Sequence, residues 1–404
     1  MTRVATGSTG GTGVGRSGVA LSPPPRRART AALTRTAPAH ATPTARRSGL
    51  VLLLALVGVL NLVGLVMVLS SSSVDSIRQY GSPWHFFVRE VLWLAAGGAV
   101  FAVALTVDYH RWRRLAPAAM VGTVVALLAV LVPGVGVKVS GASRWLGTSS
   151  LQIQPSEFAK LALIFFAADV LERRSDRGRW RYRYGPVVLM LVVLVILVMK
   201  QPDMGTSMVL AFIAVVMLFT AGSPLRALAG LLGVATLAGV ALAVMAPYRM
   251  ARILSFLHPA RDASNSGYQA VQAATAMGSG GLLGAGLGSS IASWGYLPNQ
   301  QTDFIFAVIG EETGLVGSLI VVGLFVGLAL VGVRIACRAP DRFGVLVAGG
   351  VTAWLVGQAL INIGAVVGLL PVTGVPLPFV SYGGSSLVFS LFAAGALANV
   401  ARSA

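Results

Sequence analysis

Asp303 stands in residues 294–314, WGYLPNQQTDFIFAVIGEETG, where a polar loop gives way to a long apolar run. A carboxylate at such a boundary is partly shielded from water yet within reach of a polar headgroup carried on a lipid. It is the chain's clearest candidate for a general base or a nucleophile. Other ionisable residues fall inside apolar segments: Arg89, Glu90, Glu157, Lys160, Asp169, Glu311 and Glu312, with Asp203 at an outer edge. An unpaired charge at a helix centre costs about 2.5–3.5 kcal/mol even on lenient insertion scales, so these groups must pair, neutralise or line a wet cavity.

Glu157 and Lys160, in QPSEFAKL, are three positions apart and share a helix face. They read either as a local ion pair that helps the helix insert or as a charged cavity wall. Asp203, in QPDMGTS, opens a helix and complements its positive end, with Arg89 as a candidate partner on another helix. Glu311 lies roughly 80° around a helix from Asp303 and Glu312 about 180°, so at most one of them shares its cavity. Residues 370–386, LPVTGVPLPFVSYGGSS, hold three prolines and no charge and predict an irregular hairpin containing Ser381, Gly383 and Gly384. Such a hairpin is tolerable at membrane depth only if it is buried in protein or lines a cavity.

These residues need a scaffold, and composition dictates its class. The chain has 404 residues, 55% hydrophobic and 11% charged, which predicts an all-α, polytopic integral membrane protein. Apolar runs predict ten spans, near 49–70, 86–107, 116–136, 155–172, 186–200, 204–221, 225–247, 304–333, 343–369 and 384–400. Most of the 31 Lys and Arg fall in the tail and the links DYHRWRRL, ERRSDRGRWRYRY and RIACRAPDR, so both termini are expected in the cytoplasm. That distribution explains the net charge of +18 without nucleic-acid binding. Residues 1–48, arginine-rich and free of acids, read as a disordered basic tail ahead of a membrane domain over 49–404. The long outer loop, 248–303, precedes span eight and is expected to hold short amphipathic or re-entrant helices. A lone cysteine, Cys337, excludes an internal disulfide, and four scattered histidines give no metal-ligand spacing.

Four stretches then become recognisable in order: GASRWLGTSSLQIQPSEFAKLAL, QPDMGTS, YLPNQQTDFIFAVIGEETG and LPFVSYGGSS. Together they resemble the SEDS family of bacterial cell-wall proteins (shape, elongation, division and sporulation), over about residues 50–400. The stretch GYQAVQAATAMGSGGLLGAGLGSS followed by WGYLPN is more similar to the cell-division branch than to the elongation branch. There are departures: Gln301 stands where many members have His, and Thr373 where some division members have Lys.

The resemblance implies a peptidoglycan glycosyltransferase that polymerises lipid II into β-1,4 glycan strands at the outer face of the cell membrane. It implies work at the division septum, beside a class B penicillin-binding transpeptidase and other divisome membrane proteins. A lipid II flippase and an elongation-type polymerase are the alternatives. In this reading Asp303 takes the proton of the acceptor hydroxyl, while a covalent intermediate on Asp303 stays open. Arg144, Lys138 and Lys160 are the candidates to hold pyrophosphate, Arg144 foremost for its bidentate fork, with Glu157 lining the substrate cavity. A divalent cation, Mg2+ or Mn2+, at the pyrophosphate is left open. The leaving group is already activated, so no ATP site is needed, and the chain has no Walker loop.

Overall fold

A computed structural model describes residues 11, 43–139, 142–147, 152–174, 180–244, 250, 254–257 and 267–404. The chain divides into Met1–His40, almost all of it outside the described residues, and Ala41–Ala404. The expected disordered tail falls largely in that first part. Each of the ten expected spans holds a helix, and among the described residues seven helices are long and apolar enough to cross a membrane. The protein is a multi-pass membrane protein built of helices.

Helix α1 (Pro43–Tyr80) starts before residue 49 and runs past 70 through SSSS. The serines do not stop it because their hydroxyls turn back onto the helix, Ser72 donating to the Val68 carbonyl at 2.6 Å and Ser73 to that of Ser70 at 3.2 Å. Helices α2 (His85–Thr106) and α3 (Tyr109–Leu131) follow, with Asp108 capping α3 by accepting from the His110 N–H at 2.8 Å. That bond, with the His110 ring beside it, holds the Asp108 carboxyl below its usual range.

The expectation of an all-α chain needs one correction. Between α3 and the next helix lies a small antiparallel sheet, β1 (Val137–Val139), β2 (Ala142–Gly147) and β3 (Gln152–Ile153), in that spatial order. Val137 faces Trp145 and Leu146 faces Ile153, the β-branched and aromatic pairing that favours strands. Helices α4 (Pro155–Arg173), α5 (Trp180–Lys200), α6 (Met204–Thr220), α7 (Leu225–Val244) and α8 (Tyr268–Ser279) come next, then a 3-10 turn at Ala292–Trp294. The last three are α9 (Ile305–Arg338), α10 (Arg342–Val366) and α11 (Gly384–Ser403).

Helices α4, α10 and α11 form the centre: 78% of α10's apolar window is buried inside the protein, against 11% for α2. Alternate links gather the sheet, α8, the start of α9 and the 367–383 hairpin at one end of the bundle, here the sheet end. The arginine-rich links gather at the other. There Arg113 bonds Asp169 at 2.7 Å and Glu172 at 2.5 Å, and Arg173 also reaches Asp169 at 2.7 Å.

Helix α9 is not the single span expected at 304–333. Gly314 has φ 68° and ψ −164°, so the helix breaks there. Ile305 to Glu312 are all buried, and the exposed apolar face begins beyond the break with Leu315, Leu319, Val326, Leu330 and Val333. From Leu315 to Arg338 the helix rises roughly 36 Å, enough to cross hydrocarbon alone. A broken helix exposes main-chain groups that lipid cannot satisfy. The glycine-rich loop satisfies them: Ala285 and Gly286 donate to the carbonyls of Glu311 and Glu312 at 2.9 and 3.0 Å. In return Leu315 and Val316 donate to the carbonyls of Gly281 and Leu282 at 3.0 and 3.2 Å. Backbones this close leave no room for side chains; a Cβ on Gly284, itself at φ +84°, would stand 2.2 Å from the Glu312 oxygen.

Candidate functional site

Asp303 is half-buried in a turn immediately before α9, at the sheet end. The turn is held through its main chain. Tyr382 N–H donates to the Gln301 carbonyl at 2.9 Å, and the Ser381 hydroxyl to that of Thr302 at 2.6 Å. Asn362 Nδ2 donates to the carbonyl of Asp303 itself at 2.7 Å. Ser381 thus braces the turn, and it also accepts from Leu377 N–H at 2.8 Å, closing the hairpin on itself. Residues 370–383 of the hairpin are buried or half-buried. Its Gly374 approaches the Asp303 carboxylate, so that a Cβ there would meet Oδ2 at 3.4 Å. Burial pushes the Tyr382 phenol above its usual range, with Arg89 opposing.

Glu157 and Lys160 are paired at 2.6 Å, and both are buried. They do more than a local pair would. Lys160 Nζ also donates to Gln358 Oε1 at 2.7 Å and lies 5.1 Å from the Trp354 ring centre. Gln358 in turn donates to the Pro376 carbonyl at 2.9 Å. The pair therefore joins α4 to α10 and to the hairpin that covers Asp303.

Asp203 caps α6, accepting from Thr206 N–H at 3.0 Å and Thr206 Oγ1 at 2.8 Å, with Gln154 Nε2 at 3.4 Å. Gly205, the second residue of α6, lies against the Thr373 carbonyl. Arg144, on β2, donates from Nε to the Gln201 carbonyl at 2.9 Å and from Nη2 to the Pro202 carbonyl at 2.6 Å. The sheet, the head of α6 and the hairpin are thereby contiguous around the Asp303 turn. The Lys138 side chain lies outside the described residues, although its backbone is in β1.

Arg89 is half-buried on α2 beside Glu90, whose carboxylate accepts from the Gly383 N–H at the head of α11. Gly384 packs on the Trp93 indole, where a Cβ would come within 2.3 Å. Glu311 serves the loop rather than Asp303: it accepts from Ser290 Oγ at 2.5 Å, Ile291 N–H at 2.8 Å and Ala292 N–H at 3.3 Å. Glu312 accepts from Ser70 Oγ at 2.5 Å, tying the broken helix to α1. Among the described residues no group of three or more His, Cys, Asp or Glu could hold a metal ion.

Sequence reasoning missed Asn362 and Gln358. Their signal was two amides at helical spacing inside an apolar run, QALIN.

A groove of about 320 Å³ runs between α2, α3, α4 and α11, walled by Trp112, Leu115, Phe158, Phe165, Val388 and Phe389. Its lining is almost wholly apolar.

Comparison with known proteins gives a consistent pattern. Residues 50–404 match the family model described as "Cell cycle protein", of FtsW, RodA and SpoVE. A Geobacter metallireducens protein named "Probable peptidoglycan glycosyltransferase FtsW" is 40% identical over 356 residues, covering 88% of this chain and 94% of the relative. Stage V sporulation protein E of Bacillus subtilis is 41% identical over 363 residues, covering 89% and 99%. Among solved structures, a chain from a peptidoglycan synthase complex, described as coordinating polymerization and crosslinking, is 30% identical with a TM-score of 0.72, covering 87% of this chain and 96% of that one. The rod shape determining protein RodA of Thermus thermophilus is 29% identical with a TM-score of 0.64, covering 87% and 95%. Matched along its whole membrane domain in sequence and in backbone, the chain belongs to the FtsW, RodA and SpoVE family of cell cycle proteins.

Proposed function

We propose that Asp303 is the general base of this chain's reaction. The chain is a peptidoglycan glycosyltransferase that polymerises lipid II into β-1,4 glycan strands, in the role in septal wall synthesis that its relatives' naming implies. The observation that carries the assignment is the half-buried Asp303, whose turn is held at three successive main-chain carbonyls beside an uncharged hairpin. In this reading the sheet end faces outward and the arginine-rich end faces the cytoplasm, with ten spans between them.

The acceptor's GlcNAc 4-hydroxyl gives its proton to Asp303 as its oxygen attacks the anomeric carbon of the donor. The donor's bond to undecaprenyl pyrophosphate breaks, and direct displacement turns an α-linked donor into a β-linked product. General-base assistance of this kind contributes about 10²–10⁴-fold in rate. Arg144, fixed at the head of α6, brings positive charge toward the departing pyrophosphate. No step is assigned to a cation. Part of the polyprenyl tail lies in the apolar groove beside α4, whose lining has almost no polar group to desolvate.

A class B penicillin-binding transpeptidase is the proposed partner, since the similar synthase complex couples polymerization to crosslinking. Purified protein, incubated with lipid II and such a partner, is expected to yield glycan ladders on gels. Lipid II crossing a liposome bilayer with no polymer formed would instead support a flippase.

A further inference from the structure

Gln358 and Asn362 lie four residues apart on α10, hence on one face, and both are buried. A polar amide inside a membrane helix is tolerated where neighbours use it, and here the uses are specific. Asn362 Nδ2 divides its two N–H groups between the carbonyls of Asp303 and Val375, each at 2.7 Å. Gln358 donates to the Pro376 carbonyl at 2.9 Å while accepting from Lys160 at 2.7 Å and from Trp354 Nε1 at 2.8 Å. The two amides therefore grip two consecutive hairpin carbonyls, and one of them also grips the residue that carries the carboxylate.

Three donors hold the carbonyls of residues 301 to 303, but Tyr382 and Ser381 belong to the hairpin, itself an irregular segment. Asn362 alone of the three stands on a membrane-spanning helix, whose apolar window is 78% buried inside the protein. Carbonyl and carboxylate of Asp303 depart from the same Cα, so fixing one restricts the other. We propose that Asn362 is a positioning residue of the transfer reaction: it registers the Asp303 turn and the hairpin against the rigid core. Gln358, one turn away, carries the same register to the Glu157–Lys160 pair. The inference rests on Asp303 being the base.

The test compares three variants of the full chain on lipid II, with D303N alongside. Asn362→Leu keeps size and removes both donors. Asn362→Ser retains a hydroxyl able to serve one carbonyl. Asn399→Leu is the control, because Asn399 on α11 is equally buried and holds the carbonyls of Ala104, Leu105 and Val107 at the opposite end.

A misplacement of about 1 Å at a reacting group costs on the order of 10²-fold. Asn362→Leu is accordingly expected to lower kcat about tenfold to a hundredfold with KM nearly unchanged. Asn362→Ser should fall between it and wild type, and Asn399→Leu should lower the unfolding temperature without lowering kcat of the folded protein. Wild-type kcat in Asn362→Leu, or an equal loss in Asn399→Leu at matched folded fraction, would overturn the proposal. If Asn362→Leu does not fold, the kcat of Asn362→Ser decides, and a wild-type value there overturns it. Activity retained by D303N would instead sink the base assignment. An inactive D303N beside a fully active Asn362→Leu would sink only the positioning role.

Discussion

At the scale of single residues, Glu157 and Lys160 show how a charge enters a membrane bundle: as a pair, with Lys160 Nζ also donating to the Gln358 amide. Removing one member of a buried pair leaves the other uncompensated, at about 3–5 kcal/mol, whereas replacing both together is often close to neutral. Lys160→Met is therefore expected to lower the unfolding temperature sharply, and Glu157→Gln with Lys160→Met to recover most of it. Thermal unfolding in detergent checks this, and polymerisation by the refolded double variant reports whether the pair also serves the substrate. The sequence made the pair visible because charge inside an apolar run is conspicuous. Asn362 and Gln358 escaped because uncharged amides are common and their partners, main-chain carbonyls of a hairpin, leave no mark on sequence.

At the scale of elements, the break in α9 and the loop wrapped around it are one device. GSGGLLGAGLG is glycine-rich because its backbone lies against the backbone of Glu311 to Val316, not because a flexible linker is wanted there. Gly284→Ala forces a Cβ into left-handed geometry and against a carbonyl, so a loss of about 1–3 kcal/mol is expected. Faster proteolysis within 280–300 and a lower unfolding temperature would register it. Glu311→Gln should act on the same loop, since Ser290, Ile291 and Ala292 would lose a charged acceptor. Apolar periodicity announced a helix from residue 304 onward, but periodicity cannot reveal that one glycine in it adopts φ 68°. The small sheet was equally hidden: three- and six-residue strands are too short to outweigh the helical signal around them.

At the scale of the whole molecule, the multi-pass helical architecture was legible because hydrocarbon thickness fixes the length of an apolar run; among the described residues seven helices are long and apolar enough to cross a membrane. Site geometry was not, because it depends on a loop, a hairpin and a helix far apart in sequence meeting at one end. The orientation proposed for the bundle is open to a direct check. Cys337 is exposed and is the chain's one cysteine, at the arginine-rich end of α9. A membrane-impermeant thiol reagent added to intact cells should leave it unlabelled and label it after permeabilisation; labelling of intact cells would invert the topology. If the Asp303 carboxylate drives glycan polymerisation, the single-turnover rate of D303N on lipid II falls by about 10²-fold or more, with substrate affinity and unfolding temperature unchanged. A wild-type rate from that folded variant would rule Asp303 out as the base.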